Sequence, residues 1–405
     1  MGNKKTQLYG WREVTLEKVA IINPSESIAK NKIAKKIGME ALLPFTKKIY
    51  SYEQERFKGG TKFKNGDTLV ARITPSLENG KTAYVDILEK DEIAFGSTEF
   101  IIIREKPNIT SKSFLYYLCI SSEFRSLAIQ SMTGTSGRQR VQTDEICNYQ
   151  FLLPTLPEQK AIAEVLSSLD DKIDLLHRQN KTLENMAQAL FRKWFVDEAN
   201  DDWEEGYLGD LLSVIESGKR PKGGIDQNLK DGFPSIGAES INGIGNFSFN
   251  STKFVTEDFF HSLNKGIVSD FDVLIYKDGA YIGKKTMFGL GFPFERFAIN
   301  EHVFILRSNE RANQFFLYFL LQQDELAMLN ANSAQPGLNQ QSMKSLNIII
   351  PPKSLIDEFG AISKSFVEKI LKNAIQIRTL ENLRDTLLPK LMNGSARVKF
   401  DKQSS

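Results

Sequence analysis

The sequence predicts a mixed α/β protein, α+β in arrangement. Two globular blocks are related by pseudo-two-fold symmetry and are joined and separated by two long antiparallel coiled-coil helices. Three observations predict this. The tetrapeptide TLEN occurs at residues 182–185 and again at 379–382, an offset of 197 residues that its neighbours share. Each copy lies in a stretch whose apolar residues recur at alternating steps of four and three, the period of a coiled coil. The blocks in front of those stretches also match each other, with an offset that drifts as loops differ.

The matches run along most of the chain. FLLPTLPE at 151–158 aligns with IIIPPKSL at 348–355, and FLYYL at 114–118 with FLYFL at 316–320. GDTLVAR at 66–72 resembles FDVLIYK at 271–277, Gly80-Lys81-Thr82 resembles Gly283-Lys284-Lys285, and WREVTLEKV at 11–19 resembles WEEGYLGDL at 203–211. A period near 200 is far too long for a solenoid and marks a duplicated domain. At 405 residues the chain also exceeds one ordinary domain. The expected division is a first block at 1–154, a central helix at 155–198, a second block at 199–352, and a C-terminal helix and tail at 353–405.

In the first helix the seam falls on Ile162, Leu166, Leu169, Ile173, Leu176, Asn180 and Leu183, and continues through Ala187, Leu190 and Trp194. The offset carries it to Phe359, Ser363, Phe366, Ile370, Asn373, Ile377, Leu380, Arg384, Leu387 and Leu391. Copies of one unit close by two-fold symmetry, so the helices should pair antiparallel. Full overlap then pairs residues whose numbers sum to 553, which places Asn180 opposite Asn373. A buried pair of asparagines satisfies its own amides and penalises slipped registers. Arg384 opposite Leu169 and Ser363 opposite Leu190 are less comfortable, and those layers are expected near an edge. Thr155 stands three residues before Glu158, a capping-box spacing that would start the first helix. Pro351 and Pro352 precede the second, and Gly394 lies just past its end.

Hydrophobic content of 41% and charged content of 25% fit a soluble globular protein. The formal charge of +2 hides a split: residues 1–155 sum to +6, 156–198 to −2, 199–352 to −6 and 353–405 to +4. A basic first block suits a polyanion, while the acidic third segment argues against indiscriminate nucleic-acid binding. No apolar run approaches the ~18 residues needed to span a membrane. The first residues, MGNKKTQLYGWREV, lack an apolar core for secretion, and their match to a lipidation pattern is read as chance. With two cysteines, Cys119 and Cys147, no disulfide framework is expected, and the cytoplasm is the expected compartment. The three histidines, His177, His261 and His302, show no metal spacing. GAYIGKK at 279–285 is too short and lacks the hydroxyl of a phosphate loop. No nucleophile, base and orienter come together, so the chain is expected to be non-catalytic and to need no cofactor.

Binding chemistry is more legible. The polar, glycine-containing loops TGTSGRQRVQTDE at 133–145 and ANSAQPGLNQQS at 331–342 occupy equivalent places before the pre-helix strand. Arg, Gln and Asn read guanine and adenine edges by paired hydrogen bonds. The candidate DNA-binding residues are Arg72, Thr74, Lys81, Arg138, Gln139 and Arg140 in the first block. In the second they are Lys219, Arg220, Lys222, Lys277, Lys284, Lys285, Asn339 and Gln340. Singly, each reads as ordinary polar surface; as a set repeated at equivalent places, they favour DNA.

The chain resembles the specificity subunits of Type I restriction–modification enzymes. The likeness rests on LPTLPEQKAIAEVLSSLDDKIDLLHRQNKTLENMAQALFRKWFVD at 153–197, LLPKLMNGSARV at 387–398, AFGSTEFIIIR at 94–104 and the GW…V.L opening at 10–16. The resemblance implies two target-recognition domains, each reading one half of a split sequence in double-stranded DNA. It also implies two modification (methyltransferase) subunits docked on the helices, and motor-nuclease restriction subunits joining that core. Methylation and cleavage then belong to the partners. The rivals are a single-chain nuclease or methyltransferase, active without partners, and a structural adaptor whose helices only join proteins, its complex binding DNA without sequence preference or not at all. Glu158 to Phe195 is 38 residues, roughly 57 Å at ~1.5 Å each. At ~3.4 Å per base pair this caps the gap between half-sites at about 17 base pairs. Trp203 follows the first helix as Trp11 would follow the second in a closed ring, so the termini are expected to be neighbours and circular permutation to be tolerated.

Overall fold

A computed structural model describes residues 10–226, 228–279, 282–323 and 337–399. Residues 331–336 of the second polar loop, and 280–281 of GAYIGKK, lie outside them. The chain divides into two compact units. The first comprises residues up to Lys172 and from Leu380 onward; the second is Ile173–Thr379. Each long helix contributes one end to each unit.

In the first unit the sequence TLVA forms the strand Thr68–Ala71, with all four side chains buried. Alternation explains this. Leu69 joins Ile102, Phe63 and Ile37 in one core, while Val70 joins Ile101, Phe114 and Tyr117 in another. A strand covered on both faces reads as a continuous apolar run. It sits in a four-stranded antiparallel sheet ordered Ala20–Ile22, Phe100–Glu105, Thr68–Ala71, Thr82–Tyr84. The helix Lys112–Ile120 packs on this sheet with Phe114 to Cys119 all buried. A second sheet runs Glu53–Arg56, Ile33–Ile37, Ile93–Gly96, Thr61–Lys64, with its two middle strands parallel. A two-stranded ribbon, Arg12–Thr15 with Gln150–Leu153, leads into the central helix.

The second unit repeats this plan. Its four-stranded sheet is ordered Leu212–Ser217, Val303–Ser308, Val273–Tyr276, Lys285–Met287. The smaller sheet, Lys253–Val255, Phe233–Ile236, Ala298–Ile299, keeps the parallel pair. Glu204–Tyr207 with Asn347–Ile350 forms the ribbon, and Gln314–Leu320 is the packed helix. The aligned blocks 66–72 and 271–277 therefore hold equivalent strands. The aspartates that open them have matching roles. Asp67 accepts from Lys64 N at 2.8 Å and from Arg104 Nε at 2.6 Å; Asp272 accepts from Ser269 N and Arg307 Nε, both at 2.8 Å.

The central helix spans Leu156–Arg192 and ends in a π-helical turn, Lys193–Asp197. The C-terminal helix spans Lys353–Met392, immediately after Pro352. Gly394 takes the left-handed conformation (φ 76°) expected of a helix stop. In the second unit Asn373 Nδ2 donates to Asn180 Oδ1 at 2.7 Å and to Gln179 Oε1 at 2.9 Å, and the Phe191 and Phe359 rings lie 5.5 Å apart. Rising numbers on one helix meet falling numbers on the other, so the segments run antiparallel. The register summing to 553 holds at the asparagine pair.

Within the first unit Ile162, Leu166 and Leu391 are buried, and Leu169, Leu380 and Leu387 are half-buried. Within the second, Ile173, Leu176, Asn373 and Ile377 are buried, and Asn180 and Leu183 are half-buried. Two expectations are corrected. Arg384 is 8% exposed and Ser363 fully buried, so neither layer lies at an edge. Arg384 is accommodated by an ion pair with Asp170 Oδ1 at 2.9 Å, and Asp170 Oδ2 accepts from Tyr117 Oη at 2.6 Å. Ser363 donates its hydroxyl to the Phe359 carbonyl at 2.7 Å. The capping-box spacing marks the helix start correctly, at Leu156, but the box is not closed by Glu158. Its buried carboxylate accepts from Trp11 Nε1 at 2.8 Å and from Arg397 Nη2 at 2.9 Å. The Arg397 guanidinium lies 5.7 Å from the Trp11 ring centroid. Near their ends, the described residues of the chain therefore meet at one carboxylate.

Candidate nucleic-acid interface

In the first unit the candidate residues gather where strand Thr68–Ala71 ends and strand Phe100–Glu105 begins. The segment 133–141 is bonded onto that junction: Thr74 N donates to Gln139 O at 3.0 Å and Val141 N to Arg72 O at 2.8 Å. Arg140 also bridges Ile73 and Thr133. The backbone thereby brings Arg72 and Arg140 to one carboxylate, Glu99. Arg140 Nε and Nη2 lie 3.0 Å and 2.7 Å from Glu99 Oε1, and Arg72 Nε lies 3.2 Å from Oε2. The Arg140 hydrogen bond, then its charge and that of Arg72, hold the Glu99 carboxyl below the usual carboxylate range. Arg138 is exposed on the same segment, and Gln139 and Thr74 are half-buried, with Thr74 Oγ1 3.4 Å from Met132 Sδ. Lys81 is drawn away: its ammonium donates to the Met39 carbonyl at 2.8 Å.

The second unit builds the same junction with other side chains. Leu338 N donates to Lys277 O at 2.8 Å, and Asp278 bridges Gly337, as Val141 and Ile73 do in the first unit. Lys277 takes the place of Arg72, its ammonium 5.0 Å from the Phe304 ring centroid. His302 takes the place of Glu99, with Nδ1 2.8 Å from Asp278 Oδ2. Beside it, Arg220 pairs with Glu301 at 3.0 Å, and Lys219 donates to Asn264 Oδ1 at 2.8 Å. Lys222 and Lys284 are exposed, and Lys284 donates to Asn242 Oδ1 at 3.3 Å.

Two candidates here do other work. Lys285 is half-buried in a strand, donates to the Leu321 carbonyl, and has its pKa lowered to about 8 by burial. Asn339 caps the helix Gln340–Lys344, accepting from Ser342 N at 2.8 Å. Gln340 is exposed at the start of that helix.

The family of the Type I restriction modification DNA specificity domain matches residues 9–185 and again 200–377. The chain belongs to this family. The two specificity domains fall on the two repeats found in the sequence. Among family members, the Type I restriction enzyme MjaIX specificity subunit of Methanocaldococcus jannaschii is 28% identical over 306 residues, covering 71% of this chain and 69% of that protein. The HindI specificity subunit of Haemophilus influenzae is 26% identical over 411 residues, covering 82% of this chain and 86% of the relative. The fold matches the crystal structure of the Type I restriction–modification S subunit from M. genitalium with a TM-score of 0.58 at 18% identity, over 96% of this chain and 98% of that one.

Sequence reasoning missed Glu99, His302, Asp278 and Glu301 as parts of the specificity-domain junctions. A signal existed: aligning EFIIIR at 99–104 with HVFILR at 302–307 places Glu99 opposite His302. Among the described residues there is no cluster that would hold a metal ion, and no helix long and apolar enough to cross a membrane.

Proposed function

We propose that this chain is the sequence-reading subunit of a Type I restriction–modification complex. Each unit reads one half of a split site in duplex DNA. The long helices set the spacing and dock two modification (methyltransferase) subunits, with motor-nuclease restriction subunits joining that core. The chain itself is non-catalytic, needs no cofactor, and works in the cytoplasm, where the DNA is. The observation that carries this reading is the repeated junction: one backbone scaffold presents Arg72, Glu99 and Arg140 in one copy, and Lys277, His302 and Asp278 in the other. A fixed frame with exchangeable side chains suits two readers of different half-sites. Arg138 and Lys222, both exposed, suit phosphate contacts that position without specifying.

The test is DNA binding by the complex with its modification subunits, against duplexes of matched length and different sequence. Sequence-selective binding is expected. Sequence-independent or absent binding would point to an adaptor, and methylation or cleavage by the purified chain alone would point to a single-chain enzyme. Spacing is tested separately. The central helix of 37 residues is about 55 Å long. Adding four residues to each long helix lengthens the frame by ~6 Å and should lengthen the recognised gap by one or two base pairs. An unchanged gap contradicts a spacing role for the helices.

A further inference from the structure

We propose that Arg72 and Arg140 form a guanine-reading pair in the half-site of the first unit, with Glu99 as the positioning residue that aims them. This inference rests on the reading of the chain as a DNA-sequence reader, and adds which side chains read and which base they read.

Three features separate this cluster from an ordinary surface ion pair. First, both arginines are pinned through their backbones: Arg72 N donates to Glu99 O at 2.9 Å, and Arg140 exchanges hydrogen bonds with Thr133 at 2.9 and 3.0 Å. Secondly, the side chains are bonded from one side only. Glu99 takes Nε of Arg72 and Nε and Nη2 of Arg140. That leaves both terminal nitrogens of Arg72 without a partner among the described residues, and on Arg140 it leaves Nη1 and the second N–H of Nη2, the two donors of the guanidinium's outer edge. The Arg140 side chain remains 42% exposed and that of Arg72 33%, against 21% for Glu99. Thirdly, the charge is partly cancelled, since two guanidiniums and one carboxylate leave a single positive charge.

A phosphate site gains from undiminished charge. Base reading gains from direction, because the guanine edge in the major groove offers two fixed acceptors, N7 and O6, to a planar donor fork. Holding the two side chains in one orientation before DNA arrives lowers the entropy lost on binding. The second unit has Lys277 and His302 at the equivalent places, neither of which presents such a fork. The pair is therefore expected to act on one half-site only.

The experiment uses the full chain assembled with its modification subunits. Methylated sites are mapped for the wild type, Arg140→Lys, Arg72→Lys and Glu99→Gln, with thermal melts run alongside. Lysine keeps the charge and the ion pair with Glu99 but loses the fork, so folding is retained while reading is not. The expected result is a guanine position, in one half-site, at which Arg140→Lys loses about tenfold or more discrimination, while the other half-site and the gap stay as in the wild type. Glu99→Gln should relax the same position more weakly. Equal weakening across all sequences, changes in both half-sites together, or wild-type selectivity in Arg140→Lys and Arg72→Lys would each overturn the proposal. If the wild-type complex itself has no split site, both this inference and the function it rests on fail. If the wild type reads a split site that the variants leave unchanged, this inference alone fails.

Discussion

The two units hold the same frame in place by different means. In the first, the helices meet through a buried ion pair, Arg384 with Asp170; in the second they meet through an amide pair, Asn373 with Asn180. At the repeated junction Glu99 gathers two arginines, whereas His302 faces Asp278 beside a lysine. What is common to both is backbone pairing and the aspartate–arginine bond at the strand start. The comparison teaches that duplication preserved what positions the loops and let the contacts drift.

The sharpest way to break that comparison is to remove one helix contact at a time. Arg384→Ala leaves Asp170 buried without its cation and should destabilise the first unit by ~3–5 kcal/mol. Asn373→Ala leaves neutral amides unpaired and should cost the second unit about 1–3 kcal/mol. Hydrogen exchange resolved by segment reads both. Equal losses, or losses spread evenly over both units, would show that the two pairings are not distinct supports.

Next in size are the repeated aspartates. Asp67→Asn and Asp272→Asn each neutralise one partner of an ion pair that is buried on the aspartate side. Urea unfolding should show a loss of roughly 2–3 kcal/mol for each, below the full cost of a fully buried pair because the asparagine still accepts a hydrogen bond. A large effect at one site and none at the other would mean that the bond is shared by descent but not by function.

The smallest effect concerns Lys285, whose counterpart in the first unit is the uncharged, buried Thr82. Burial lowers the Lys285 pKa to about 8, below the ~10.4 of an unfolded lysine. Between those values the unfolded chain binds more protons than the folded one, so this residue makes stability rise with pH across that window. Lys285→Met should flatten the rise in the urea midpoint between pH 8 and ~10. A midpoint profile identical to the wild type would mean that the ammonium titrates normally.

Much of this fold was legible in the sequence. Ile162 to Leu183 and their partners announce a helix pair because a seam repeats every 3.5 residues, and the shared offset turned one asparagine into a register. FDVLIYK revealed its strand because GDTLVAR repeats its pattern. The site was less legible. Arg72 and Arg140 stand out by chemistry, but their common partner Glu99 lies 27 residues from the first and 41 from the second. Only the sheet brings them together. Charge alone also does not tell a free cation from one bonded within the fold. Lys81 precedes the strand Thr82–Tyr84 and Lys285 begins the strand Lys285–Met287, and each ammonium donates to a backbone carbonyl. Asn339 stands three residues before Ser342, a capping spacing that sequence reading could have recognised.

The central claim is that two units of one chain each read their own half of a split DNA site. Sequencing every methylated position in the DNA of cells that carry the assembled complex tests it most directly. The account predicts one motif of two specific halves separated by a non-specific gap of constant length. A continuous motif, or halves separated by gaps of varying length, would contradict it.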